Sequence, residues 1–142
     1  MIFVFGSNTG GIHGAGAARY AMDQRGAKLG VGFGPTGTCY AIPTKGVHRT
    51  KRRGESRVTI GDTLELGVIK RYVDEFLRYA RNNPDIQFQI TCIGCGLAGL
   101  RHEDIAPMFK DAPENCFFDN LWFPFLTTGA GDKPQHRYWG TF

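Results

Sequence analysis

The chain has 142 residues, 42% of them hydrophobic and 21% charged, with a formal net charge of +4. That length suits one domain, and 11 Phe, 5 Tyr and 2 Trp supply a core, which excludes a disordered chain. The 20 glycines follow no Gly-X-Y period, which excludes collagen. No apolar run reaches the roughly 20 residues that a membrane span requires.

Residues 2–5 read as a buried first strand that ends at Gly6. The run is too short for a signal-peptide core and no basic residue precedes it, so a cytoplasmic protein is expected. The four cysteines, Cys39, Cys92, Cys95 and Cys116, are then expected as thiols. A glycine-rich turn opens a helix over residues 15–24. Residues 26–37 hold five glycines and read as a loop, or as a weakened strand near residues 31–33. Residues 39–42 read as a strand stopped by Pro43, and a basic loop follows.

Asp62 and Glu65 have the spacing of a capping box. Behind them Ile69, Tyr72, Val73, Phe76, Leu77 and Ala80 form one apolar helical face, which ends at Asn82-Asn83-Pro84. Phe88, Ile90 and Cys92 alternate with Gln87, Gln89 and Thr91 as in a strand. A helix over residues 102–110 and a strand over residues 116–118 are expected next. Residues 119–142 form a tail rich in aromatics, Pro and Gly, with no assigned element.

Strands alternating with helices predict one α/β domain over residues 1–142, with a largely parallel central sheet flanked by helices. Ligands bind such sheets at the carboxyl ends of the strands. Here these ends are the loops after Phe5 and after Ile93, and both are glycine-rich. The first runs Gly6-Ser7-Asn8-Thr9-Gly10-Gly11-Ile12-His13-Gly14-Ala15-Gly16 into the first helix. Glycines clear the backbone amides, and a helix start adds its own N–H groups, so the pattern predicts a phosphate or diphosphate site. The alternative is a tight turn of small residues chosen for helix–sheet packing. The Gly-Lys-Ser/Thr of a P-loop is absent, and the stretch lacks the third glycine and the acidic residue of a dinucleotide fingerprint.

These residues resemble those of macro domains. The strand followed by Gly6-Ser7-Asn8 and residues 10–18 is similar to their first ligand loop. Ile90 and the Thr91-Cys92-Ile93-Gly94-Cys95-Gly96-Leu97-Ala98-Gly99 stretch resemble their second, and residues 40–46 resemble the strand after their first helix. The likeness is greatest to small macro-like proteins of phage and bacterial genomes and covers residues 1 to about 118. The resemblance implies a three-layer fold with a mixed, mostly parallel sheet, and binding of ADP-ribose or a related nucleotide. It implies that Asn8 contacts the distal ribose, while amides from Gly11 to Gly16 and from Gly94 to Gly99 hold the diphosphate. It places Gly6, Ser7 and Ile12 at the ligand, and Asn8 and His13 as the residues of any ADP-ribosyl hydrolysis. Most macro domains have strands before the Asn-bearing strand, one of which contributes an acidic residue near the adenine. This chain begins at the Asn strand, so Phe118 or Trp122 of the tail is the alternative contact for the base.

His13 suits acid–base work, or else orders the loop backbone. Cys92 and Cys95 have C-x-x-C spacing, which reads as a redox pair, half of a zinc site with Cys116 and His102, or plain loop residues; no metal or cofactor is assigned. Lys45, Arg49, Lys51, Arg52, Arg53 and Arg57 face only Glu55 between residues 45 and 57, which reads as a solvated loop or a nucleic-acid contact. Three functions follow: binding of ADP-ribose or a related nucleotide, with or without hydrolysis of an ADP-ribosyl bond; a basic nucleic-acid-binding protein; and non-catalytic sequestration of a nucleotide signal. No membrane partner is expected.

Overall fold

The computed structural model describes residues 1–126 and 136–141. Among them, seven strands form one mixed sheet and four segments are α-helical. In chain order these are β1 (Ile2–Asn8), α1 (Gly16–Arg25), β2 (Gly34–Thr36), β3 (Cys39–Arg52), β4 (Glu55–Thr63), α2 (Leu66–Asn82), β5 (Phe88–Ile90), α3 (His102–Ile105), β6 (Cys116–Asp119), α4 (Phe123–Leu126) and β7 (Arg137–Gly140). The spatial order is β2-β3-β1-β5-β6-β7, with β4 also paired to β3. β1, β3, β5, β6 and β7 run parallel, whereas β2 and β4 run antiparallel to β3. No helix among the described residues is long and apolar enough to cross a membrane.

Period-two alternation sorts the strand side chains onto two faces. Phe3, Phe5, Cys39 and Ala41 pack with Ala21 of α1. Val4, Tyr40, Ile42, Phe88, Ile90 and Phe118 pack with the apolar stripe of α2 (Ile69, Val73, Phe76, Leu77, Ala80) and with Trp122. Both faces are therefore covered, as an α/β sheet of buried parallel strands requires.

Four expectations change. The strand at residue 39 does not stop at Pro43 but continues to Arg52. Ala41 pairs with Gly34, the first residue of β2, and alternation turns the backbone of residue 43 toward the side that β2 has already left. The missing Pro43 donor thus removes no ladder bond. The basic segment is accordingly a β-hairpin, whose two-residue turn places Arg53 at φ 53° and Gly54 at φ 81°. Two positive φ values match the right-handed twist of the flanking strands.

The capping box does not form. Asp62 stays extended in β4, and Glu65 stands at the N-cap of α2 without a side-chain bond. Pairing of Lys45 with Thr63, and the Leu64 N–H donated to the Thr44 carbonyl at 2.8 Å, hold this stretch extended. Finally, the weakened strand lies at residues 34–36 instead of 31–33, and the helix at residue 102 changes to a 3₁₀ turn at Ala106. The tail supplies β7, parallel to β6, while residues 127–135 and 142 lie outside the described residues.

Candidate functional site

β1, β5 and β6 end at one side of the sheet, where β3 passes with Thr44 and Lys45, and a cleft of about 510 Å³ opens there. That volume falls within the range of roughly 300–1,000 Å³ typical of small-molecule sites. The two glycine-rich loops form its walls. They meet at the floor, where a Cβ on Gly6 would lie 3.2 Å from the Gly94 nitrogen, and at the rim, where a Cβ on Gly16 would lie 3.5 Å from Leu97 Cδ1.

The first loop is held from within. Asn8 Nδ2 donates to the Ile12 carbonyl at 2.7 Å, and Asn8 Oδ1 accepts the Ile12 N–H at 3.0 Å. The loop is also held from behind by the second glycine cluster. A Cβ on Gly32 would sit 2.0 Å from the Asn8 carbonyl oxygen, and one on Gly11 would sit 2.3 Å from the Gly30 carbonyl carbon. Gly32 has no room for a side chain against this loop, whereas Gly30 faces open space and takes a left-handed φ of 91°.

Gly14 and Gly96 differ from these. A Cβ on either meets nothing within 4 Å, neither has a φ in the left-handed region, and both line the cleft. Neither packing nor turn geometry requires glycine at these two positions. Beside them α1 begins at Gly16 with no side-chain cap and no acidic residue in its first turn. The amides of its first turn lack intrahelical acceptors, and Gly16, Ala17 and Ala18 line the cleft with the positive end of the helix dipole. In the second loop the Cys95 and Gly99 N–H groups close internal turns, whereas those of Gly96, Leu97 and Ala98 do not.

The cleft is polar at its two ends. Lys45 stands at the β3 end, in register with Asn8, and Asp119 at the β6 end. Asp119 is buried, and its Oδ1 accepts the Leu121 N–H at 2.9 Å. His102 also lines the cleft, and its Nδ1 accepts the Trp122 indole N–H at 3.0 Å. An indole nitrogen only donates, so Nδ1 is the accepting nitrogen of the His102 ring. Burial pushes the Cys92 thiol up to about 12, assisted by the negative Asp119 carboxylate. Burial likewise raises Cys95 to about 11, against an indole bond from Trp122 that lowers it.

Several expected site residues are placed elsewhere. His13 is buried outside the cleft: its Nε2–H donates to the Lys28 carbonyl at 3.1 Å and its ring meets Phe5 edge-on at 5.4 Å. It ties the loop backbone to residue 28 and is not among the residues that line the cleft. Gly11 and Gly99 likewise fall outside the lining. Phe118 and Trp122 are fully buried core residues, not base contacts. Gly6, Ser7, Asn8, Ile12, Gly14, Ala15, Gly16, Gly94, Cys95, Gly96, Leu97 and Ala98 all line the cleft. Among the described residues, no group of three His, Cys, Asp or Glu side chains is arranged to hold a metal. Sequence reasoning assigned Lys45 to the basic segment and His102 to a zinc option rather than to this cleft, and missed Asp119. Asp119 had a usable signal, since it is a carboxylate at the carboxyl end of a parallel strand.

No protein-family model matches the chain, and no curated protein matches it. Among solved structures it is similar to a protein of unknown function from Bacteroides thetaiotaomicron. The two share 16% identity over 78% of this chain and 79% of that one, with a TM-score of 0.43. A likeness of that degree carries no functional argument.

Proposed function

We propose that the cleft binds ADP-ribose or a closely related nucleotide diphosphate, with the diphosphate held between the two glycine-rich loops. The observation that carries this reading is the pair Gly14 and Gly96, one in each loop, which both line the cleft with no packing or turn need to be glycine. The uncapped start of α1 supplies N–H donors and positive dipole to the same place. Lys45 adds a cation at one end, and Asp119 is a carboxylate at the other, where an exocyclic amine of the base would find an acceptor. Asp119 is thus the candidate for the acidic residue that macro domains place near the adenine.

The reading is of a binder first. The thiols of Cys92 and Cys95 stay protonated near neutral pH, which makes them weak nucleophiles. The Nδ1 of His102 is occupied as the acceptor of the Trp122 indole N–H, and His13 is not among the residues that line the cleft. Hydrolysis of an ADP-ribosyl bond, where it occurs, would rely on positioning of the distal ribose at the Asn8 end. Thermal unfolding tests the proposal. ADP-ribose at a hundredfold excess over its Kd stabilises by about 2.7 kcal/mol, and the transition should move upward accordingly. An unchanged transition with millimolar ADP-ribose would contradict the reading.

A further inference from the structure

The β3–β4 hairpin leaves the body of the protein. β1 accompanies β3 only as far as Lys45, β2 only over Cys39–Ala41, and residues 48–60 are all exposed. Over residues 47–52 the hairpin is a bare two-stranded ribbon of about 20 Å, at roughly 3.3 Å per residue. Residues 45–57 carry six of the chain's 17 Lys and Arg and one of its 13 Asp and Glu, so the remainder of the chain has no net positive charge.

Register sorts these cations. Arg49 lies opposite Val58 and Lys51 opposite Ser56 on one face, with Val47 and Ile60 at its root. Arg57 lies opposite Thr50 and Arg52 opposite Glu55 on the other, with His48 behind them. Arg53 occupies the tip. Among the described residues no carboxylate stands within ion-pair distance of Arg49, Lys51, Arg52, Arg53 or Arg57. Five cations on a slender ribbon repel one another, an arrangement that a polyanion relieves.

We propose that this ribbon docks on the phosphate backbone of duplex nucleic acid. Cations on both faces and the tip suit a ribbon entering a groove between two phosphate rows, and a major groove about 12 Å wide admits a two-stranded β-ribbon. Residues 45–71 contain no Phe, Tyr or Trp and one imidazole, His48, so the ribbon lacks the row of aromatic rings on which successive single-stranded bases stack. A membrane-seeking hairpin would carry apolar residues at its tip, whereas here Val58 and Ile60 lie toward the root and the tip is Arg52-Arg53-Gly54-Glu55. The root is fixed to both cleft loops: Val47 packs against Gly10, and Thr63 Oγ1 donates to the Ala98 carbonyl at 2.9 Å. Nucleic acid on the ribbon therefore lies beside the cleft mouth, where Ile60 and Lys45 belong to both surfaces. The proposal does not depend on what the cleft holds.

The test is fluorescence anisotropy of a labelled 20-base-pair duplex between 50 and 200 mM salt. Four to five neutralised phosphates predict a log–log salt slope of about −4. The double variant Lys51→Glu/Arg57→Glu places no like charge directly opposite another and should keep its far-UV spectrum. It should bind at least tenfold more weakly, with a slope reduced by about 2. Absence of duplex binding at 50 mM salt, or binding that the double variant leaves unchanged, overturns the proposal. So does tighter binding to phosphatidylserine vesicles than to duplex. Calorimetry with ADP-ribose on the same samples reports the cleft separately.

Discussion

Gly32 and Asn8 touch backbone to backbone: a Cβ on residue 32 would lie 2.0 Å from the Asn8 carbonyl oxygen. The first cleft loop therefore depends on a segment more than twenty residues away. Gly32→Ala must push the two segments apart, at about 1–3 kcal/mol by analogy with overpacking in cores. The expected outcome is a lowered midpoint in thermal unfolding. Gly14→Ala/Gly96→Ala is the contrasting variant. It should keep the wild-type midpoint yet bind ADP-ribose at least tenfold more weakly, because the added methyls occupy ligand space only.

Asn8 is expected to act through the loop. Its side chain makes two bonds to the Ile12 backbone, so Asn8→Ala releases that turn and destabilises by about 1–3 kcal/mol. Chemical denaturation measures the loss. A variant with unchanged stability would show that the bonds to Ile12 contribute nothing.

Buried thiols set the alkaline limit. Burial raises Cys116 and Cys92 to about 12, from an ordinary value of 9.0. Below pH 9 both folded and unfolded chains hold these protons, and their contribution is fully present. Above it the unfolded chain releases them first, so stability is lost as the pH rises from 9 toward 12. Denaturation midpoints measured between pH 8 and 10.5 should fall, and less steeply in Cys116→Ala relative to its own value at pH 8. The folded protein should also react slowly with iodoacetamide at pH 8.

Asn115 closes the far end of α2. Its Nδ2 lies 2.9 Å from the Ala80 carbonyl, 3.0 Å from that of Asn83 and 2.9 Å from that of Ile86. Asn115→Ala leaves these buried acceptors short of donors and should destabilise by about 1–3 kcal/mol. ADP-ribose affinity should not change, since the residue lies away from the cleft.

Much of the layout was legible in local pattern. The apolar stripe from Ile69 to Ala80 could only be a helix on a core, and the Phe88-Gln89-Ile90 alternation could only be a strand. The two glycine loops stood out because each follows a strand. What escaped depended on partners distant in the sequence. Pro43 reads as a stop until its place beyond β2 is known. Asp62 and Glu65 read as a cap until Thr63 is seen paired with Lys45. His13 shares a loop with Gly14, but only the fold turns its ring inward onto Phe5 while Gly14 faces the cleft. His102 and Asp119 lie on separate segments and meet the cleft only once β5 and β6 are paired.

The central claim is a nucleotide diphosphate site between the two loops, and isothermal titration with ADP-ribose tests it most directly. AMP and NAD serve as comparisons, and Gly14→Ala/Gly96→Ala as the altered cleft. The account predicts one site per chain with micromolar affinity for ADP-ribose, weaker binding of AMP, and at least tenfold loss in the double variant. Absence of heat with ADP-ribose at millimolar concentration, or affinity that the double variant retains in full, would contradict it.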